Sequence, residues 1–338
     1  MTEMDIYLTQ THSKAWQIQT RPVRSSPMMR LMKYLLLIIV SVVSIVAFLR
    51  WSERRPDAHY LSDLRTYVAP PYRNTEAPAE LLLVQAQLSP VDYQSVEHLR
   101  LKLDTLLRNA RDAGLMDAHT LVVLPDHVGT WLLATGEKVE FYQSKDRYEV
   151  RDWLLLGNPL LAIRALLSNL DAHRLDEALL RMKAEEMARA YQGLFADLAK
   201  RYGVTLVAGS ILLPSPVLED GELHAQAGPL RNATLVFSAS GDIVGDLHSD
   251  PWPFDPALPA QRISLNGTDY AIERDIDEGF ARTHVRRLDN GQISTPLFLR
   301  GSLDWPIGGL PRRIRLSAPM DMQESNPGSH LIPQWSLP

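Results

Sequence analysis

The longest hydrophobic run in the chain is YLLLIIVSVVSIVAFL, Tyr34 to Leu49, which carries no charge and is bracketed by Arg30 and Lys33 before it and Arg50, Arg54 and Arg55 after it. With its flanking side chains snorkelling, it approaches the roughly 20 residues that cross a hydrocarbon core, and a transmembrane helix is expected over 34–50. The leader before it is long and FLRWSERR offers no small-x-small cleavage site, so the pattern reads as an uncleaved signal anchor. Lys14, Arg21, Arg24, Arg30 and Lys33 precede the span, and this slim Lys/Arg excess places the tail, residues 1–33, in the cytoplasm. The expected arrangement is a single-pass protein of a bacterial inner membrane with its large part in the periplasm. Residues 51–79, polar and punctuated by Pro56, Pro70, Pro71 and Pro78, read as a stalk.

Beyond the stalk the periodicity changes. ELLLVQAQL is a buried-strand pattern ended by Ser89-Pro90, and VEHLRLKLDTLLRNARDAG puts Leu99, Leu103, Leu106, Leu107 and Ala110 on one helical face, with Gly114 as the stop. HTLVVLP is a second strand, and strand, amphipathic helix, strand is an α/β unit. Residues 137–172 are polar in their first half and apolar in their second, enough for a short helix that packs on the same domain or lies against a membrane or partner. HRLDEALLRMKAEEMARAYQGLFADLAKRY predicts a long helix ended by Gly203. VTLVAGSILL and NATLVFSASGDIVGDLH predict strands, the second with a Ser-Gly-Asp turn. Past residue 280 only two or three short strands and a WPIGGLP loop are expected, and residues 321–338 read as a polar C-terminal tail. One layered domain over 80–320 follows.

Composition narrows the chemistry. The chain has 338 residues, 45% hydrophobic, with a net charge of -5, which supplies no basic field for nucleic acid. It contains no cysteine, which removes disulfides, thiolate metal ligands and a thiol nucleophile together.

Four segments in order, LLLVQAQLSP, TLVVLPDHVG, LAKRYGVTLVAGS and NATLVFSASGDIVGDLH, resemble the nitrilase or carbon-nitrogen hydrolase superfamily over roughly residues 80–275. The resemblance implies an α/β, αββα sandwich, and a second copy makes a homodimer one expected assembly; past residue 280 this chain departs from the family, so a shortened or rebuilt C-terminal part is expected. The resemblance also implies hydrolysis of amides or nitriles by a glutamate base, a lysine that stabilises the oxyanion and a cysteine nucleophile. This sequence departs at all three matching positions. Asp126 stands where the glutamate is expected, Ser249 is the nearest equivalent of the lysine, and Glu273 stands at the nucleophile position. No lysine follows Lys200, so no shift of alignment supplies the cation. The pattern is that of relaxed catalytic selection.

Around these positions His127, His248, Asp250, Arg274 and Asp275 are candidate pocket residues. Asp126 and His127 converge only if the chain turns at Pro125, because neighbours on a strand face opposite ways. Arg274 or the Arg286-Arg287 pair could replace the missing cation in a rearranged site. His248, Asp250 and Asp255 offer ligand atoms, but their spacing demands no metal, and no cofactor is implied. Trp252 and Trp305 read as core or loop-anchoring aromatics. The Asn232-Ala233-Thr234 and Asn266-Gly267-Thr268 triplets fit the glycosylation pattern.

Three functions remain open. The first is a membrane-anchored pseudoenzyme that binds a small amide-like ligand or another membrane or envelope protein. The second is a divergent amide or ester hydrolase using Asp126 and Glu273. The third is a structural subunit of a membrane complex that uses the 137–172 insertion. An open cavity bounded by Asp126, Ser249 and Glu273 would favour a ligand, and an apolar patch over Trp153 to Leu167 with a closed pocket would favour the structural role.

Overall fold

The computed structural model describes residues 27–54, 61–70, 78–144, 147–168, 175–252, 260–277, 280–301 and 327–336. Lys14, Arg21, Arg24, Arg55, Asp255, Trp305 and the WPIGGLP loop lie outside them. The chain divides into two units, 1–51 and 52–338.

The first unit is built on helix α1, Pro27–Glu53, which contains the predicted span and is long and apolar enough to cross a membrane. Its aliphatic side chains are exposed on all sides, Ile38, Val43 and Ile45 among them. An all-round apolar surface of this kind suits lipid and no aqueous solvent.

The second unit runs, in chain order, through β1 (Thr66–Val68), β2 (Ala79–Gln85), β3 (Gln87–Leu88), α2 (Val96–Asp112) and β4 (Leu121–Val123). The helices α3 (Val139–Gln143), α4 (Arg147–Gly157), α5 (Pro159–Ser168) and α6 (Leu175–Tyr202) follow. The remaining strands are β5 (Thr205–Glu219), β6 (Glu222–Phe237), β7 (His248–Pro251), β8 (Gln261–Leu265), β9 (Thr268–Asp277), β10 (Phe280–Arg287), β11 (Arg300–Gly301) and β12 (Ser329–Ser336). A seven-stranded mixed sheet has the order β1-β12-β2-β4-β5-β6-β7, and β10-β9-β8 form a separate antiparallel sheet.

Strand alternation assigns the two faces. Leu82, Val84, Val122, Leu206 and Leu235 pack with α2 residues Leu99, Leu103 and Leu106 and α6 residues Met187, Tyr191 and Phe195. Their neighbours Leu81, Leu83, Leu121, Val123, Val207 and Val236 turn the other way and pack with Ile263, Tyr270, Ile272 and Val285 of the second sheet. Both faces of the central strands are thus covered, which is why they read as unbroken hydrophobic runs. The layers are helix, sheet, sheet. Among the described residues no helix covers the outer face of the second sheet, where the expected fourth layer would lie. That face carries the ion pairs Arg286–Glu273 and Arg282–Asp275 instead of an apolar stripe.

The domain reaches further at both ends than the periodicity suggests. Within the expected stalk, β1 pairs in parallel with β12, Ser62 Oγ donates to Asp92, and the buried Lys102 ammonium on α2 donates to the Asp63 carbonyl. Within the expected polar tail, β12 lies between β1 and β2 and pairs antiparallel with β2 from His330 to Ser336. The segment SHLIPQWS has few large aliphatics, but Ser329, Leu331 and Pro333 alternate inward and neighbouring strands satisfy the backbone.

Candidate functional site

The site begins where β4 ends. Pro125 turns the chain, and the turn packs against Gly209 so closely that an added Cβ at Gly209 would lie 2.2 Å from the Pro125 carbonyl oxygen. Gly209 has φ +70°, in the left-handed region that glycine enters without steric cost. The local register of β5 against β6 shifts between Val207 and Ser210, a bulge that re-aims Ser210 toward the turn. Ser210 Oγ accepts from the His127 backbone N–H at 2.8 Å, and the Tyr191 hydroxyl donates to the Gly209 carbonyl at 2.8 Å. His127 itself takes φ +62°, which lets Asp126 and His127 both turn inward. They are 4% and 1% exposed.

Opposite this turn stands Arg274 of β9. Its Nε donates to Asp126 Oδ1 at 3.1 Å, and its Nη2 donates to Thr234 Oγ1 at 2.8 Å. Nη1 lies 3.7 Å from Asp250 Oδ2, and the Arg274 side chain is only 4% exposed. Asn232 Nδ2 donates to Asp126 Oδ2 at 3.3 Å, and His248 Nε2 lies 3.1 Å from Asp250 Oδ2. A guanidinium therefore sits between two buried carboxylates, with hydroxyl and amide groups filling the remaining directions. Asn232 Oδ1 and Trp252 Nε1 are buried here without a hydrogen-bond partner among the described residues.

The electrostatics follow from this geometry. Burial pushes the Asp126 carboxyl up, but the Arg274 and His127 charges and the bonds from Ser210 and Arg274 outweigh it, leaving the pKa below the ordinary carboxylate value. Burial pulls the His127 imidazole down, Asp126 opposes this, Arg274 adds to it, and the net direction is downward. The His127 ring lies 4.0 Å from Asp126 and edge-on to Trp252 at a centroid distance of 5.3 Å. The ion pair belongs to Arg274.

The structure brings Asp126, His127, Asp250 and Arg274 together, with His248 at the margin. The other sequence candidates lie elsewhere. Glu273 precedes Arg274, and strand alternation sends it to the outer face of the second sheet, where Arg286 binds it through two bonds of 2.7 and 3.0 Å. That bond holds the Glu273 carboxyl below its usual range. Asp275 is bound by Arg282 at 3.1 Å and lies 3.5 Å from His284. Ser249 faces away from Asp250 on β7, and its hydroxyl accepts from Arg231 Nε at 2.6 Å. Arg286 and Arg287 are also committed, the latter to Glu80 and Asp289.

Sequence reasoning misses two cluster members altogether, Ser210 and Gln261, and names Thr234 only within a glycosylation triplet. Asn232 stands out in the sequence only within a glycosylation triplet, but at 2% exposure inside β6 it is inaccessible to that chemistry. The available signal is the period-2 pairing of Asn232 with Thr234 and His248 with Asp250 on adjacent strands, which places polar side chains on one face. A second buried pair carries no sequence signal either. Lys183 Nζ meets Glu137 Oε1 at 2.5 Å and donates to the Leu133 and Thr135 carbonyls, and Asn158 Nδ2 donates to Glu137 at 3.0 Å.

A cleft of about 470 Å³ opens beside the cluster, lined by Val236, Leu247, His248, Gln261, Arg262 and Ile263 among others. It touches the cluster through His248 and through Gln261, whose Oε1 lies 3.4 Å from Arg274 Nη2. Asp126, Ser249 and Glu273 do not line it. Among the described residues no group of three or more His, Asp or Glu side chains is placed to hold a metal ion.

No family model and no curated protein sequence matches this chain. Among solved structures, it is similar to a point mutant of the amidase from Nesterenkonia sp. AN1, with covalent addition of the acetamide moiety of fluoroacetamide at the active-site cysteine. That match has 14% identity and a TM-score of 0.27, covering 58% of this chain and 56% of that one. Saccharomyces cerevisiae Nit3, a member of branch 10 of the nitrilase superfamily, matches with 14% identity and a TM-score of 0.27, covering 55% of this chain and 51% of that one. The chain thus spans about half the length of each. At this overlap the matches carry no functional assignment.

Proposed function

We propose that this chain is a membrane-anchored pseudoenzyme, a carbon-nitrogen-hydrolase-like domain that acts by binding and not by hydrolysis. One observation carries the reading: Asp126, the only carboxylate at the matching base position, is sealed in an ion pair with Arg274 at 3.1 Å, both side chains about 95% buried. A general base must reach a substrate proton and have a pKa near the working pH. Asp126 has neither property, because the guanidinium fills its open side and holds its pKa down. The nucleophile is missing too. The chain has no cysteine, the Ser210 hydroxyl is fully buried, and Ser249 is bound by Arg231.

The cavity expected at Asp126, Ser249 and Glu273 is not the one observed, and the binding site in this reading is instead the cleft beside His248, whose mixed apolar and polar lining suits a small amide-like ligand. A change at His248 would pass through Asp250 to Arg274. α1 is the anchor, and the charge bias puts the domain on the periplasmic side, where another envelope protein or a second copy is a further partner class. The hydrolase alternative would need Asp126 and Glu273 on one substrate, and strand alternation directs them to opposite faces.

The test is release of ammonia or free carboxylate from an amide, nitrile and ester panel by the full detergent-solubilised chain, wild type beside Asp126→Asn. No turnover by either is expected, together with a rise in wild-type unfolding temperature on adding a primary amide that His248→Ala loses. Turnover that Asp126→Asn abolishes overturns the proposal.

A further inference from the structure

The insertion of α3, α4 and α5 presents an apolar face that the binding role does not use. Leu160, Ile163 and Leu167 recur at i, i+3 and i+7 along α5 and are 65%, 54% and 72% exposed, with Leu161 beside them and Leu156 of α4 close in sequence. Ala162 and Leu154 are buried, so the inward faces of the two helices are already occupied. Such a stripe, with Arg164 as the only charge in the α5 sequence, is not a solvated surface pattern.

The position of the insertion along the chain says what covers it. Glu137 and Lys138, which open the insertion, bind in two directions. Glu137 is held by Lys183 of α6 and by Asn158 at the α4–α5 junction, which fixes the helices to the domain. Lys138 Nζ donates to the backbone oxygen of Arg54 at 3.1 Å, one residue past the end of α1. Ser52 is likewise only 2% exposed. Arg54 lies five positions past Leu49, the end of the apolar run. Even fully extended, that segment reaches no more than about 18 Å. The start of the insertion is therefore tied by chain length to the membrane boundary.

We infer that α5 lies in the interface of the same bilayer that holds α1, with Leu160, Ile163 and Leu167 entering the headgroup and acyl boundary. The second unit then carries its own contact with the membrane, in addition to the anchor. The occupant is the lipid surface itself, because the anchor brings it within reach and an apolar helix face whose sequence carries a single basic residue is the pattern of an interfacial helix. This inference rests on α1 being membrane-inserted.

The absence of native cysteine makes the test direct. The full chain, with single substitutions Ile163→Cys, Leu101→Cys and Ile39→Cys, is nitroxide-labelled and reconstituted into phosphatidylethanolamine and phosphatidylglycerol vesicles. Collision with oxygen is compared with collision with a soluble nickel chelate. Leu101 is the control, an exposed apolar residue of α2, and Ile39 reports the anchor. The expected ratio of oxygen to nickel access at Ile163 is on the order of tenfold above that at Leu101 and lies below that at Ile39, which sits deeper in the span. A lipid signal at Ile39 with an aqueous one at Ile163 overturns the inference and leaves the anchor intact. An aqueous signal at Ile39 overturns both. Shielding of Ile163 from both reagents means that protein covers α5, and this also overturns it.

Discussion

Replacing Arg274 by methionine tests whether the Asp126 centre is a structural ion pair. Methionine keeps most of the aliphatic packing but removes the bonds to Asp126 at 3.1 Å and Thr234 at 2.8 Å and the charge 3.7 Å from Asp250. Two carboxylates, each about 95% buried, lose their cation. Breaking a buried pair from one side costs about 3–5 kcal/mol, a large share of the roughly 5–15 kcal/mol that holds a typical domain. Neutralising the carboxylates as well, in Asp126→Asn with Asp250→Asn and Arg274→Met, should recover more than half of that loss, since no uncompensated charge remains.

The pH dependence gives a sharper readout. In wild type, Arg274 is the largest influence holding the Asp126 carboxyl down against burial. Without it burial prevails, and the folded pKa should rise above the unfolded value of about 3.9. A carboxyl of that kind takes up a proton on folding, so the deficit is full at neutral pH and shrinks as the pH falls through the raised pKa toward about 4. Urea unfolding of the detergent-solubilised chain, followed by tryptophan fluorescence, measures both quantities. A loss below about 1 kcal/mol that does not vary with pH would refute the reasoning, because that is the behaviour of a solvated surface pair.

Two further outcomes follow from the same turn. Gly209→Ala should destabilise the domain by about 2–4 kcal/mol, because its Cβ meets the Pro125 carbonyl oxygen at 2.2 Å and its φ of +70° disfavours a side chain; an unchanged urea midpoint would show that the turn and β5 are not tightly packed. His127 has its folded pKa lowered below the ordinary value of 6.5, so the unfolded chain binds its proton first and wild-type stability should fall as the pH drops from about 6.5. His127→Asn tolerates the φ of +62° and cannot titrate in this range, so its unfolding free energy should be flatter between about pH 7 and 5. His224, raised by the Glu185 bond, contributes with the opposite sign at an exposed site and is present in both proteins. Equal slopes would remove His127 from the explanation.

The local pattern specified a good deal of this protein. The apolar run within α1, the strand patterns of β2 and β4, the one-sided leucines of α2 and the long α6 are each readable because periodicity and chain breakers act over a few residues. The absence of cysteine was equally legible, as it is a fact of composition. Tertiary structure decided the rest. β1 and β12 lie 263 positions apart in sequence at the pair Thr66 and Ser329, and a short polar strand gains its place only from a neighbour the sequence does not reveal. The ion pair joins residues 126 and 274, and one residue of strand alternation separates Arg274, which faces Asp126, from Glu273, which faces Arg286. Sequence supplied the charged groups. Which of them met in a low-dielectric interior, and which remained at the surface, was settled by the packing of two sheets.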